Sequence, residues 1–180
     1  IGDAIQAELG RTMSTRPTKS ETYDIVVVGS GAAGMSTAIT ASKLGASVAI
    51  IEKEPVFGGT TAFSGGVLWI PLNHHAKDAG VNDDREAAIT YMKEETGNFY
   101  DAAAVETYID TGPEMLEFFE RETAVKFVPT LYPDYHPDQP GGVDVGRAVL
   151  AAPFDTSALG DNLKRLRPPL ATITFMGMMF

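Results

Sequence analysis

The sequence contains no cysteine and is poor in positive charge. Its 180 residues include 14 Lys and Arg against 24 Asp and Glu, which gives a formal net charge of −10. Without cysteine, this stretch can form no disulfide, no thiolate metal site and no cysteine nucleophile. An acidic surface repels phosphate backbones and anionic membranes, so we expect no nucleic-acid partner.

Long apolar runs and targeting patterns are also missing. No stretch approaches the roughly 18 consecutive apolar residues of a membrane-spanning helix, and no basic segment followed by an apolar core begins the chain. We therefore expect a cytoplasmic protein and leave membrane association open. We interpret residues 1–12, which precede Met13, as a leader or non-native extension. Residues 13–180 are then the N-terminal part of a longer domain, with a substrate or cap domain expected downstream.

A βαβ unit is the first pattern that is present. Tyr23 to Val28 is a β-branched run that predicts a strand buried on both faces. Ala32 to Leu44 is rich in helix formers and is followed by Gly45, a common helix stop. Ser47 to Glu52 predicts a second buried strand. This order predicts two parallel strands joined by a right-handed crossover.

The turn between the first strand and the helix carries G-x-G-x-x-G. Gly29 permits a tight turn, Gly31 lets a diphosphate approach the backbone, and Gly34 lets the helix pack closely on the sheet. The N-terminus of the helix presents free N–H groups to phosphate. Glu52, at the end of the second strand, is placed to accept hydrogen bonds from ribose hydroxyls. The alternative is a glycine-rich turn that binds no ligand.

A second glycine cluster follows almost at once. Its small and hydroxyl-bearing residues are Gly58, Gly59, Thr60, Thr61, Ser64, Gly65 and Gly66. A nicotinamide-binding domain has no need of such a cluster at this place. Bare backbone and hydroxyls here favour a longer ligand, and FAD fits because its ribityl chain needs hydrogen bonds and its flat ring needs close backbone approach. The alternative is a flexible loop.

The rest of the chain predicts more helix than strand. Residues 55–82 are rich in Gly, Pro and Asn and predict irregular structure. The further predicted elements are a helix over Arg85 to Thr96 capped by Asp83 or Asp84, helices over Asp101 to Asp110 and Pro113 to Glu122, a strand over Val125 to Val128, a proline-rich loop over 129–142, and a short helix around Asp161 to Leu166.

The stretches "VVVGSGAAG", "EKEPVFGGTTAFSGG" and "VLWIPLN" together resemble the FAD-binding domain of the fumarate reductase and 3-ketosteroid dehydrogenase superfamily. The continuation "SGGVLWIPLN" is more similar to the 3-ketosteroid Δ1-dehydrogenase branch. The resemblance implies a Rossmann-like, glutathione-reductase-type α/β domain with a helical insertion. It implies that the ADP half of FAD is held by Gly29, Gly31, Ala32, Ala33, Gly34, Glu52 and Lys53. The second cluster would then continue past the diphosphate and ribityl chain towards the flavin.

The resemblance also implies a catalytic residue. The dehydrogenases carry a similar "P-D-Y" element, and Tyr135 in "YPDYHP" matches its tyrosine. That tyrosine would assist a second tyrosine in removing a proton next to the ketone, while the neighbouring carbon gives a hydride to flavin N5. A phenol with a pKa of ~10 is a poor base alone, so a hydrogen-bonded pair helps. The partner tyrosine would lie downstream of Phe180. The alternative is that Tyr135 only packs in a proline-rich loop.

Three functions remain open on the sequence. The first is desaturation of the bond α,β to the ketone of a small apolar substrate such as a 3-ketosteroid, with electrons passed to an external acceptor. The second is reduction of an unsaturated carboxylate such as fumarate, which needs arginines to bind the carboxylate; Arg147 alone is insufficient. The third is FAD binding without activity, which we expect of this chain without the remaining polypeptide or a second chain that completes the fold.

The histidines predict no metal site. Adjacent side chains such as His74 and His75 are expected to diverge, and no acidic residue stands at ligand spacing from them. The prediction is therefore a solvated loop after "IPLN". His136 is expected to be an exposed loop histidine.

Overall fold

A parallel strand pair begins the part of the chain described by the computed structural model, which comprises residues 21–175 and 178–179. Strand β1 (Ile25–Val28) and strand β2 (Val48–Ile51) pair in parallel and are joined by helix α1 (Ala32–Lys43). The predicted βαβ unit is therefore confirmed. The proposed leader, residues 1–12, lies outside the described residues.

The predicted burial of these strands on both faces is wrong. The exposed fraction is 53% for Val26 and 83% for Val28, and 55% for Ile51. Helix α1 contacts both strands, but among residues 21–175 the two strands pair only with each other. A β-branched run predicts extended structure, whereas burial also needs a second covering layer.

A second sheet has three antiparallel strands. Strand β3 (Val67–Trp69) and strand β4 (Phe127–Pro129) both pair with strand β5 (Ala148–Ala151) in antiparallel fashion, in the order β3-β5-β4. The strand predicted over Val125 to Val128 is thus found slightly later, as β4.

The prediction of irregular structure over residues 55–82 is wrong, mainly in the second half of this segment. It contains a 3-10 turn (Thr61–Phe63), strand β3 and helix α2 (His74–Asp78). Asn73 caps α2 because its side chain accepts a hydrogen bond from the Ala76 N–H at 2.9 Å. Strand β3 was missed because its hydrogen-bonding partner, β5, lies far away in sequence.

The helices pack on the second sheet. Helix α3 (Arg85–Thr96) is capped by Asp84 as predicted, and the Ala87 N–H donates to its side chain at 2.8 Å. Helix α4 (Ala102–Glu122) replaces the two predicted helices and contains Pro113 in its interior. One buried stripe runs along its whole length: Val105, Ile109, Gly112, Leu116 and Phe119. Burial of this stripe outweighs the proline, which removes one backbone hydrogen bond.

The core lies between α4 and the sheet. Ile70, Leu116, Phe119, Phe127 and Val149 form its main cluster. A Cβ at Gly112 would lie 3.1 Å from Cγ2 of Ile70, so helix and strand approach closely there.

The described chain ends in short elements. The predicted helix around Asp161 to Leu166 is a 3-10 segment (Thr156–Arg165) with a kink at Gly160. A 3-10 turn (Ala171–Ile173) and strands β6 (Thr174–Phe175) and β7 (Met178–Met179) follow. Of the helices in the described residues, none has the length and apolar character needed to cross a membrane.

Candidate functional site

The first glycine turn follows β1 and is closed by the backbone. Gly29 has a φ of +94°, and its N–H donates to the Ile51 carbonyl oxygen at 2.7 Å. A Cβ at Gly34 would lie 2.0 Å from the Gly29 carbonyl oxygen. Gly29 therefore makes the turn and Gly34 lets α1 start directly against it, as the motif predicts.

Gly31 differs because nothing in the protein requires a glycine there. Its φ is −73°, and a Cβ at this position would meet only Oγ1 of Thr61, at 4.0 Å. The space above Gly31, at the N-terminus of α1, is therefore open. Open space beside the N-terminus of a helix suits a phosphate, so this part of the turn fits the diphosphate of a dinucleotide.

The second glycine cluster folds back onto the first. The Ala32 N–H donates to Oγ1 of Thr61 at 3.0 Å, and the Gly58 N–H donates to Oγ of Ser30 at 3.0 Å. A Cβ at Gly59 would lie 3.0 Å from the Gly31 Cα. The two clusters and the acidic segment between them, residues 29–34, 52–54 and 58–61, form one structure that we call the cradle.

Glu52 joins the strands and the turn of the cradle. Its carboxylate accepts hydrogen bonds from the Ser30 N–H at 3.0 Å, the Ser30 hydroxyl at 2.5 Å and the Glu54 N–H at 3.1 Å. These hydrogen bonds, led by the Ser30 hydroxyl, lower the pKa of Glu52 to about 2. The Lys53 backbone N–H adds to this lowering, and together these contacts hold the Glu52 carboxylate in the wall of the cradle.

A cavity of about 540 Å³ opens on the cradle. Of the predicted cofactor residues, Gly29, Gly31, Glu52, Lys53, Gly59 and Thr60 line it. The others do not line this cavity: Ala32, Ala33 and Gly34 begin α1, Gly58 and Thr61 hold the two clusters together, and Ser64, Gly65 and Gly66 lead into β3.

Two residues that line the cavity, Ser30 and Arg167, were not identified from the sequence. Ser30, a variable position of G-x-G-x-x-G, is 2% exposed and bonds both Glu52 and Gly58. Arg167 lines the cavity from the far end of the described chain. No local pattern marks Arg167, because its approach depends on a tertiary pairing of its segment with Phe57.

A second cavity, of about 770 Å³, lies next to β3. Val67, Trp69, Tyr132 and Tyr135 are among its lining residues. Val67 directly follows Gly66, so this cavity begins where the second glycine cluster ends. Tyr135 is 96% exposed, which leaves its phenol free of packing.

The segment that carries Tyr135, residues 129–142, is held by its buried neighbour Asp134; we call this segment the tyrosine loop. Asp134 accepts hydrogen bonds from Trp69 Nε1 at 2.6 Å, the Val143 N–H at 3.1 Å and Arg147 Nη1 at 2.9 Å. A neighbouring exposed phenol is thus attached to a fixed point of the core.

Arg147 is the centre of this support. It is 1% exposed, and it pairs with Asp134 at 2.9 Å and with Asp83 at 2.8 Å. Its guanidinium carbon also lies 5.6 Å from the Trp69 ring centroid and 5.8 Å from that of Tyr91. Arg147 is therefore fully used inside the fold and is not available to bind a substrate carboxylate.

The loop histidine has a partner as well. His136 Nδ1 lies 2.6 Å from Oε1 of Glu95. The hydrogen bond from His136 lowers the pKa of Glu95, and one from Tyr91 adds to this. Half of the His136 side chain remains exposed, as predicted, but it also ties the tyrosine loop to α3.

The prediction for His74 and His75 is wrong in its geometry. Both lie in α2, and their Nε2 atoms lie 2.8 and 3.0 Å from the two carboxylate oxygens of Glu120. The helix turns both rings towards the end of α4, with their centroids 4.1 Å apart. One donor atom from each of the three side chains falls within 4.8 Å, which a divalent cation could bridge. Each Nε2 already has a carboxylate partner, whereas Nδ1 of His74 is buried without a hydrogen-bond partner.

Comparison with known proteins agrees with this geometry. Residues 24–179 match the family model described as FAD binding domain. A 3-oxosteroid 1-dehydrogenase of Mycolicibacterium smegmatis is 46% identical over 84% of this chain and 27% of its own length. A 4-oxocyclohex-2-ene-1-carboxylate 5-dehydrogenase of Sinomonas cyclohexanicum is 44% identical over 92% of this chain and 28% of its own.

A solved structure is similar as well. The 3-ketosteroid Δ1-dehydrogenase of Sterolibacterium denitrificans, in complex with 1,4-androstadiene-3,17-dione, superposes with a TM-score of 0.81 at 36% identity. The match covers 88% of this chain and 28% of that one. The chain thus spans little more than a quarter of the relatives it matches, and within that span the predicted α/β FAD-binding fold and its cofactor, FAD, are confirmed. The chain belongs to the FAD binding domain family.

Proposed function

We propose that the full-length protein carrying this chain is an FAD-dependent dehydrogenase that desaturates the bond α,β to a ring ketone. A 3-ketosteroid, oxidised in its first ring, is the substrate class we favour. The activities for which the two relatives are named support this, because both names pair an oxo group on a ring with dehydrogenation at a ring position. The solved relative holds a steroid ketone.

The observation that carries the proposal is the position of Tyr135. Its exposed phenol stands at a cavity of about 770 Å³ whose wall, at Val67, continues directly from the second glycine cluster. Cavities of a few hundred Å³ lined by aromatic side chains are typical of small-molecule sites. A flavin lying along the cluster would therefore approach the same cavity as Tyr135.

Different residues of this chain bind the cofactor and position Tyr135. The open space above Gly31, at the N-terminus of α1, accommodates the diphosphate, and Glu52, which lines the same cavity, accepts from a ribose hydroxyl. Bound FAD supplies the acceptor for the substrate's hydride, and the electrons then leave to an external acceptor. Asp134 and Arg147 fix the loop, so that Tyr135 is positioned without movement of the backbone.

Tyr135 acts on a proton rather than on the hydride. Its hydroxyl is placed to hydrogen-bond a second phenol, supplied by the remaining polypeptide, and to stabilise that phenol when it loses its proton to become the base. The pair is needed because a lone phenol ionises only near pH ~10.

The reaction is tested with the full-length protein and two substrates. A 3-ketosteroid with an oxidised dye should reduce the dye, whereas fumarate with a reduced dye should leave it reduced. The buried, doubly paired Arg147 gives the second reaction no carboxylate ligand in this part of the chain. Oxidation of the reduced dye by fumarate, without steroid turnover, would refute the proposal.

Tyr135→Phe tests the residue. We expect kcat to fall by about 10²-fold, the usual size of a lost acid–base contribution, with flavin absorbance unchanged. Tyr132→Phe is the matched control, since it removes a hydroxyl from the same loop and cavity outside the P-D-Y element. Equal losses in both variants would show that the cavity matters but that Tyr135 has no special role.

A further inference from the structure

Arg167 is fastened to the cradle by its backbone. Its N–H donates to the Phe57 carbonyl oxygen at 2.8 Å, and the Phe57 N–H donates to the Arg165 carbonyl oxygen at 2.7 Å. These bonds form an isolated parallel bridge between Phe57 and Leu166. Residue 167 therefore stands beside the start of the second glycine cluster, although most of the described chain separates the two in sequence.

The side chain of Arg167 faces the cradle without a partner for its charge. It lines the cavity of about 540 Å³ together with Gly31 and Gly59. Its Nε is buried and makes no hydrogen bond, and within residues 21–175 no carboxylate lies at ion-pair distance from it. Among the described residues, the guanidinium lies near the ring of Phe63, whose centroid is 5.8 Å from its Cζ.

This state is costly for the protein alone. A buried N–H donor without an acceptor loses its hydration and gains nothing in return. Arg147, whose whole side chain is buried, has carboxylates on both sides. The difference indicates that the acceptor for Arg167 comes from outside the described residues, from a molecule that enters the cavity.

The charges that line the cavity indicate which chemical group of that molecule binds there. Glu52 and Glu54 line the cavity, and Lys53 and Arg167 are its only cations among the described residues. A diphosphate entering this cavity would meet two carboxylates and needs both cations to offset them. A planar guanidinium matches phosphate oxygens with two parallel hydrogen bonds, which an ammonium cannot do.

We propose that Arg167 donates hydrogen bonds to the diphosphate of bound FAD and closes the cradle over it. The α1 N-terminus at Gly31 would contact the diphosphate from one side. Arg167, beside Gly59, would contact it from the other. The inference rests on the assignment of FAD to this chain, and it adds a cationic clamp that the G-x-G-x-x-G motif does not contain.

Binding of ADP and adenosine to the full-length protein, freed of flavin, tests the clamp. Arg167→Met keeps the aliphatic stem over Phe63 and removes the charge. We expect the Kd for ADP and for FAD to rise by about tenfold to a hundredfold, as for a lost charge-assisted hydrogen bond. The Kd for adenosine, which has no phosphate, should stay within about twofold of that of the parent.

Arg165→Met is the matched control, because Arg165 lies in the same segment with an exposed side chain. It should leave all three affinities unchanged. The proposal is overturned if Arg167→Met binds ADP as tightly as the parent, or if adenosine weakens as much as ADP, since the latter indicates a distorted cavity. If the parent protein binds neither FAD nor ADP, the assignment of FAD itself fails, and the clamp with it.

Discussion

The cradle and the tyrosine loop are held in place by opposite means. The cradle consists of glycines joined by hydrogen bonds from backbone N–H groups to the side chains of Ser30, Glu52 and Thr61, and its residues lie close together in sequence. The tyrosine loop depends on a buried arginine between two buried aspartates, drawn from three separate segments. The first region can approach a ligand at backbone distance, whereas the second presents one side chain rigidly to a cavity.

The comparison predicts different costs of mutation in the two regions. Removing one member of a buried ion pair leaves an uncompensated charge in the interior. Adding a methyl group to a glycine turn acts either on folding or on ligand binding, depending on what lies next to the Cβ.

Arg147→Met should have the largest effect. Asp83 and Asp134 would remain buried without their cation, so the free energy of unfolding should fall by about 3–5 kcal/mol. Urea unfolding followed by circular dichroism measures this loss. Arg121→Met, which removes a surface arginine paired with Glu122, should cost at most about 1 kcal/mol. Similar losses in both variants would mean that the tyrosine loop does not depend on the buried ion pairs of Arg147.

Gly34→Ala and Gly31→Ala form the next test, within the cradle. The new Cβ at position 34 would lie 2.0 Å from the Gly29 carbonyl oxygen, so we expect a loss of about 1–3 kcal/mol of stability or more. At position 31 the Cβ meets no protein atom closer than 4.0 Å. Gly31→Ala should therefore fold normally.

Flavin binding separates the two variants. The methyl at position 31 enters the space left for the ligand, so the Kd for FAD should rise by about tenfold or more. Denaturation of the flavin-free proteins and titration with FAD give the two readings. If Gly31→Ala binds FAD like the parent protein, the diphosphate does not approach this turn.

The same contrast explains what the sequence could predict. The βαβ unit, the cap at Asp84 and the contacts of Gly29 and Gly34 depend on neighbours within about one supersecondary unit, and these predictions agree with the structure. Strand β3 and the continuous α4 were missed, because a distant strand and a long buried stripe decide them. Pro113 predicted a break only because local propensity was given more weight than packing.

The charged residues show the limit most clearly. Arg147 and Arg167 stand 20 positions apart in sequence and look alike there. One is buried between two aspartates, and the other lines the cradle with an unpaired nitrogen. His74 and His75 were expected to diverge, because the carboxylate that joins them is on another helix. Long-range partners, not residue type, separate these roles.

The smallest effect is expected from Glu52, the half-buried acid of the cradle. Hydrogen bonds from Ser30 and Glu54 lower the pKa of Glu52 from 4.5 to about 2 in the folded chain. A lowered folded-state pKa stabilises the fold at every pH above the unfolded value, and this stabilisation is lost as the pH falls from about 4.5 towards 2. Glu52→Gln removes the titrating group and keeps the side chain's shape. The free energy of unfolding of the variant should therefore depend less on pH in this range.

Unfolding midpoints in urea between pH 2 and 6 measure this contribution. Above pH 6 the variant should be less stable than the parent, because an amide oxygen accepts these hydrogen bonds more weakly than a carboxylate does. The two curves should converge as the pH approaches 2. Glu117→Gln, at an exposed position of α4, should leave the shape of the curve intact. If Glu52→Gln also leaves it intact, then the Ser30 bonds do not persist in solution, and the cradle takes its shape from its glycines alone.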